Sequence, residues 1–207
     1  PGVAMVCSRD FERDTAGLAG VLGSTCDGQD SIKETNALSF TTAPVGEATQ
    51  YSGTANLHLN VATPATEAIW HISVNDVAPD GTSVVRSTGA LVSTRRVMDD
   101  TRSRRLSNGD YTDAEPSLRS VDTAPVIANQ PHTVDIKILP TDLVLQPGHR
   151  LRINILATNI TALLPTLEQA LNTQLAPQTV LIDTAAPSYL TLPIVGDGSL
   201  GIVSPNS

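Results

Sequence analysis

Aromatic side chains are scarce: one Trp, three Tyr and two Phe make up 3% of the 207 residues. So few rings leave little material for the stacking platforms that grip sugars or unpaired bases. Positive charge is short as well, with 13 Lys and Arg against 21 Asp and Glu and a net charge of −8. That balance argues against nucleic acid or an anionic membrane as partner, since both are held by excess positive charge. No apolar run approaches the ~20 residues that cross a bilayer as a helix. The longest stretch of small apolar residues, from Ala16 to Gly23, is interrupted by Gly17, Gly20 and Gly23. Charged residues reach only 16% while apolar types reach 40%, too little charge and too much Val, Ile and Leu for a disordered chain. A domain of this length buries roughly 70% of its unfolded surface and can stand without staples. Cysteine is limited to Cys7 and Cys26, with no CxxC or HxxxH partner nearby to complete a zinc site. Two unrelated thiols, or one disulfide in an exported protein, both fit that spacing. The sequence opens on Pro1 without Met and reads as a processed product or a piece of a longer chain.

What is present is alternation. Leu57, Leu59 and Val61 alternate with Asn56, His58 and Asn60, and Trp70, Ile72 and Val74 with His71, Ser73 and Asn75. Val134, Ile136 and Ile138, then Leu151, Ile153 and Ile155, repeat the pattern, and Leu190, Leu192 and Ile194 close it. Successive strand side chains point to opposite faces, so each run predicts a strand with one buried and one wet face, as in antiparallel sheets. Pro79-Asp80-Gly81 reads as a hairpin turn, and Pro140-Thr141-Asp142 and Pro147-Gly148 as two more. Many short strands between turns predict an all-β sandwich or barrel. Helix signals are confined to two short stretches, Ser8 to Leu22 and Pro165 to Leu171. The stretch from Asp99 to Pro131 has no period, and a loop of that length in a compact domain points to an interface or site.

Catalytic chemistry is hard to find. A serine hydrolase of the α/β type needs Gly-x-Ser-x-Gly on a strand-to-helix turn. Gly81-Thr82-Ser83 has Val85 in place of the second glycine, and Gly198-Ser199-Leu200-Gly201 is wrongly spaced. His58 and His71 fall on polar strand faces and are expected in solvent. His132 begins a strand, and His149 is expected to hydrogen-bond a turn. Asp76 and Asp80 flank a hairpin, but without a denser acidic cluster they do not make a calcium site. Nothing asks for a cofactor or a metal. Arg95, Arg96, Arg102, Arg104 and Arg105 are the only basic concentration. Lacking aromatics, they suit a docking surface for carboxylates on a neighbouring domain, or a charged edge that discourages aggregation. The sequon Asn159-Ile160-Thr161 ends a strand.

Four blocks, in order, add a resemblance. Leu38-Ser39-Phe40-Thr41-Thr42-Ala43-Pro44 resembles the opening of the C-terminal domain of the Xaa-Pro dipeptidyl-peptidase/cocaine-esterase (CocE/NonD) family of serine hydrolases. The run from Ser73 to Gly81 is similar to that family's DVxPDG hairpin. Leu139 to Asp142 with Pro147 to Ile153, and then Leu171-Asn172-Thr173 with Pro187 to Pro193, are similar to its later blocks. The resemblance implies a jelly-roll β-sandwich of the galactose-binding-like type over residues 36–195, with one or two short helices. A connecting segment, 1–35, would precede it and a flexible tail, 196–207, would follow. The first 35 residues and Arg102-Ser103-Arg104-Arg105 are similar to the exported, bacterial branch, which implies a Cys7–Cys26 disulfide and a secreted or cell-surface location. The family's catalytic Ser, Asp and His belong to a preceding α/β-hydrolase domain, so none is carried onto this sequence. The resemblance thus implies a non-catalytic domain that packs on the hydrolase domain of the same parent chain and helps shape its active-site entrance. A carbohydrate-binding module and a structural surface domain are the rival readings, and aromatic poverty counts against the first.

Overall fold

In a computed structural model, residues 3–4, 33–159, 167–173, 176–196, 200 and 203–205 are described. Cys7, Cys26 and the stretch from Ser8 to Leu22 lie outside them. In chain order the strands are β1 (Val3–Ala4), β2 (Leu38–Thr42), β3 (Thr49–Ala62), β4 (Ile69–Val77), β5 (Ser83–Val92), β6 (Arg104–Arg105), β7 (Tyr111–Asp113), β8 (His132–Leu145), β9 (Arg150–Leu156), β10 (Thr158–Asn159), β11 (Thr179–Val180), β12 (Tyr189–Thr191) and β13 (Val203–Pro205). The single α-helix among the described residues, α1 (Leu167–Thr173), falls where the second short helix was expected.

The period-two runs become antiparallel strands because each has an apolar stripe to bury. One continuous path runs β11-β3-β8-β5-β4-β9-β2-β13, with β12 also on the outer edge of β3. Among the described residues, only β1 and β10 pair in parallel. Leu57 and Leu59 on β3 sit far along that path from Leu151, Ile153 and Ile155 on β9, yet all five line one cavity. The sheet therefore curls back on itself into an all-β half-barrel or sandwich, as expected from the pattern. Its core holds Trp70, Ile72, Leu59, Ile136, Ile138, Leu145, Leu151 and Ile155, all essentially free of solvent.

The crossing between the two layers is narrow. Strands β5 and β8 pair at one position, Gly89 with Ile138. A Cβ on Gly89 would run into the Lys137 carbonyl oxygen and lie 3.2 Å from the Ile138 Cα, so only glycine lets these backbones meet. Turn glycines behave as read: Gly81 has φ +87° and Gly148 has φ +84°.

Two expectations fail for physical reasons. Pro140-Thr141-Asp142 is not a turn but lies inside β8. Its partner register shifts between Gly53 and Ala55, so Leu139 and Pro140 sit at a bulge, where a residue without N–H is tolerated. Strand β4 has no wet face: all nine of its residues are buried, although three alternate ones are polar. The 3₁₀ turn Lys33–Asn36 covers it and sinks Glu34 into that face, where the carboxylate accepts from Asn75 (2.7 Å), Asn154 (3.1 Å), Ser83 and Arg152. Polar residues can be buried where every one finds a partner of this kind. Strand β13 lies beyond residue 195, pairing with β2 from Val203↔Thr42 to Pro205↔Phe40.

Candidate domain interface

The arginine segment follows β5 and ties down the long loop that comes after it. Arg96 donates to the carbonyls of Ser93 (3.0 Å), Ala124 (2.6 Å) and Pro125 (2.9 Å). Arg95 donates to the Arg119 carbonyl (3.3 Å) and to Thr123 Oγ1 (3.1 Å), both exposed contacts. Arg102 pairs with Asp99 at 2.9 Å and donates to the Pro116 carbonyl at 3.0 Å. Arg105 pairs with Asp100 at 2.9 Å, and its guanidinium lies 3.6 Å over the Tyr111 ring centroid. Hydrogen bonds from Arg105 and Tyr111 hold the Asp100 carboxyl below the usual carboxylate range. Arg104 is exposed.

The loop they anchor is not shapeless. Strands β6 and β7 form a hairpin, and a 3₁₀ turn spans Ser120–Asp122. Lys137 on β8 reaches Asp113 at 2.8 Å and Glu115 more closely still, fixing the hairpin to the outer face of that strand. Burial opposes the Lys137 charge, but the two carboxylates outweigh it and raise its pKa. Backbone bonds from Ser117 N to the Val97 carbonyl and from Ala124 N to the Thr94 carbonyl (both 2.9 Å) hold the strap between them. Leu118 and Val121 are left 69% and 82% exposed on that strap, two residues that no period or motif marks in advance.

The histidines occupy four different environments. His58 is half-buried, bonded through Nδ1 to Asp135 at 2.9 Å and stacked on Tyr189 at 4.7 Å. His71 is buried rather than solvated, because both faces of β4 are covered, and burial pushes its pKa down to about 4. The His149 side chain bonds a strand rather than the expected turn: its Nδ1 makes a 2.7 Å contact with Asp76 Oδ1 on β4, and Arg86 takes the other oxygen of that carboxylate at 2.9 Å. Asp80 accepts from the Thr82 amide, so the hairpin carboxylates are occupied within the fold.

His132 Nε2 lies 3.2 Å from Ser93 Oγ, a distance at which a base could activate a serine. The surroundings exclude that chemistry. Ser93 is fully buried, and its oxygen already accepts from Trp70 Nε1 at 2.9 Å. The Nδ1 of His132 faces the Gln130 carbonyl at 3.4 Å, not a carboxylate, and burial lowers the His132 pKa. No substrate carbonyl can reach this buried hydroxyl, and among the described residues no acid is bonded to the ring. The trio instead satisfies the indole N–H of the buried Trp70, which leaves that ring unable to stack on a sugar.

A cavity of about 600 Å³ opens between the layers, walled by Phe40, Leu57, Leu59, Ile153, Leu190 and Leu192. Asp183, Thr184 and Ser188 stand among its lining, without a histidine.

Residues 10–191 match the family described as the X-Pro dipeptidyl-peptidase C-terminal non-catalytic domain. Two mycobacterial proteins bearing serine esterase names, Mb1866c of Mycobacterium bovis and MT1883 of Mycobacterium tuberculosis, are each 26% identical over 140 residues. The alignment covers 66% of this chain but 21% of either protein. A CocE/NonD family hydrolase of Staphylococcus aureus, SACOL2612, superposes with a TM-score of 0.63 at 17% identity, over 81% of this chain and 32% of that one. An α-amino acid ester hydrolase superposes with a TM-score of 0.53 at 20% identity, over 77% and 25%. The chain therefore spans between a fifth and a third of these proteins, and it belongs to the family of C-terminal non-catalytic domains of X-Pro dipeptidyl-peptidases.

Proposed function

We propose that this domain is the accessory β-sandwich of a secreted α/β-hydrolase of the peptidase or esterase class. It packs on the catalytic domain of the same parent chain and helps wall the active-site entrance. The observation that carries this reading is an all-β half-barrel or sandwich whose described histidines are buried or bonded to structural partners, in a chain whose family is non-catalytic. Acyl transfer through a serine acyl-enzyme would then be the work of the preceding domain, with Arg95, Arg96, Arg102, Arg104 and Arg105 supplying or supporting part of the contact. The fold alone does not name a substrate. In assays with chromogenic dipeptidyl and ester substrates, the 207-residue chain is expected to give no turnover and its parent chain to give turnover. Hydrolysis by the 207 residues alone would contradict the reading. The Cys7–Cys26 disulfide and extracytoplasmic location belong to the same proposal. Maleimide labelling of the denatured, unreduced secreted protein should then find no free thiol, and two labelled thiols would count against export through an oxidising compartment.

A further inference from the structure

The strap from Pro116 to Thr123 presents apolar side chains outward at a backbone position that leucine disfavours. Leu118 has φ +58°, a left-handed conformation that glycine or asparagine adopts readily and a bulky residue does not. It is 69% exposed and Val121 is 82% exposed, so neither is held there by the core of this domain. The strap is nevertheless fixed at both ends. Ser117 is bonded to Val97, Ala124 to Thr94, and Arg95 grips the Arg119 carbonyl and the Thr123 hydroxyl. A strained, stapled backbone that exposes two apolar side chains is a poor solution for an isolated domain and a good one for a surface that is covered in the assembled protein.

We infer that this strap is the seat of the parent chain's catalytic domain, with Leu118 and Val121 entering an apolar socket on it and Arg95 and Arg119 facing carboxylates at the socket rim. The inference rests on the accessory-domain reading above. Charge selects this occupant over a second copy of the chain. Arg95 has no carboxylate partner among the described residues, and Arg119, paired with Asp122 at 2.7 Å, keeps 73% of its side chain exposed. Two copies meeting face to face would bring these cations together, which like-charge repulsion opposes.

Amide hydrogen exchange tests it, comparing the 207-residue chain with the full parent chain. Exchange over residues 118–123 is expected to slow at least tenfold in the parent. Leu118→Asn should leave the melting temperature of the 207-residue chain unchanged or higher, because asparagine suits the left-handed backbone, yet restore fast exchange at the strap in the parent. Val121→Asn should do the same without touching the strained position. An unprotected strap beside a protected face elsewhere on the sandwich would overturn the inference and leave the accessory-domain reading standing. No protected face anywhere would bring down both. Protection of the strap in the 207-residue chain that grows with its concentration would assign the surface to self-association and overturn the inference too.

Discussion

At the scale of single residues, His71 sets a pH dependence. Its pKa in the fold is pushed down to about 4 by burial, against an ordinary value of 6.5. As pH falls through 6.5 the unfolded chain takes up the proton first, so His71's contribution is complete above that pH and is lost on the way to about 4. Below that value both states carry the proton and the loss ends. The gap corresponds to about 3 kcal/mol. Urea unfolding between pH 7 and pH 4.5 should therefore show a steeper fall for the natural sequence than for His71→Gln, and parallel profiles would refute the burial argument. The alternation placed His71 correctly on the face opposite Trp70, but it could not show that a distant turn covers that face. Leu118 was illegible for a similar reason, since nothing in Ser117-Leu118-Arg119 announces a left-handed backbone.

At the scale of elements, the turn at Lys33–Asn36 acts as a latch. Glu34 is buried, and four side chains from β4, β5 and β9 donate to its carboxylate. Truncation to alanine would take one acceptor from Arg152, Asn75 and Asn154, each of which keeps a hydroxyl partner, and leave the Arg152 charge without its carboxylate, a loss of about 3 kcal/mol. Glu34→Ala should therefore lower the urea midpoint clearly more than Glu34→Gln, which keeps one carbonyl acceptor in place. Equal midpoints would mean the latch contributes nothing. Strands β3, β4, β8 and β9 were readable from period two, and the turns at Gly81 and Gly148 from their glycines. The error at Pro140 arose because a proline at a bulge and a proline in a turn leave the same trace in sequence. The loop after Asp99 was readable as unusual but not as a hairpin, because β6 and β7 are too short to carry a period and are held by Lys137 and the arginines.

At the scale of the whole molecule, the curl of one long sheet brings β3 and β9 face to face and closes the core with aliphatic side chains and one buried indole. Class and family signature were legible in the sequence because strand alternation and the four blocks are local. The crossing at Gly89 was not, since it depends on two backbones more than forty residues apart. In the proposed function this domain supports catalysis without performing it. Labelling the parent protein with a serine-reactive fluorophosphonate and mapping the modified residue tests that most directly. The modified serine should lie in the region preceding this chain, with no serine of these 207 residues modified. A fluorophosphonate adduct on any of them, Ser93 above all, would contradict it.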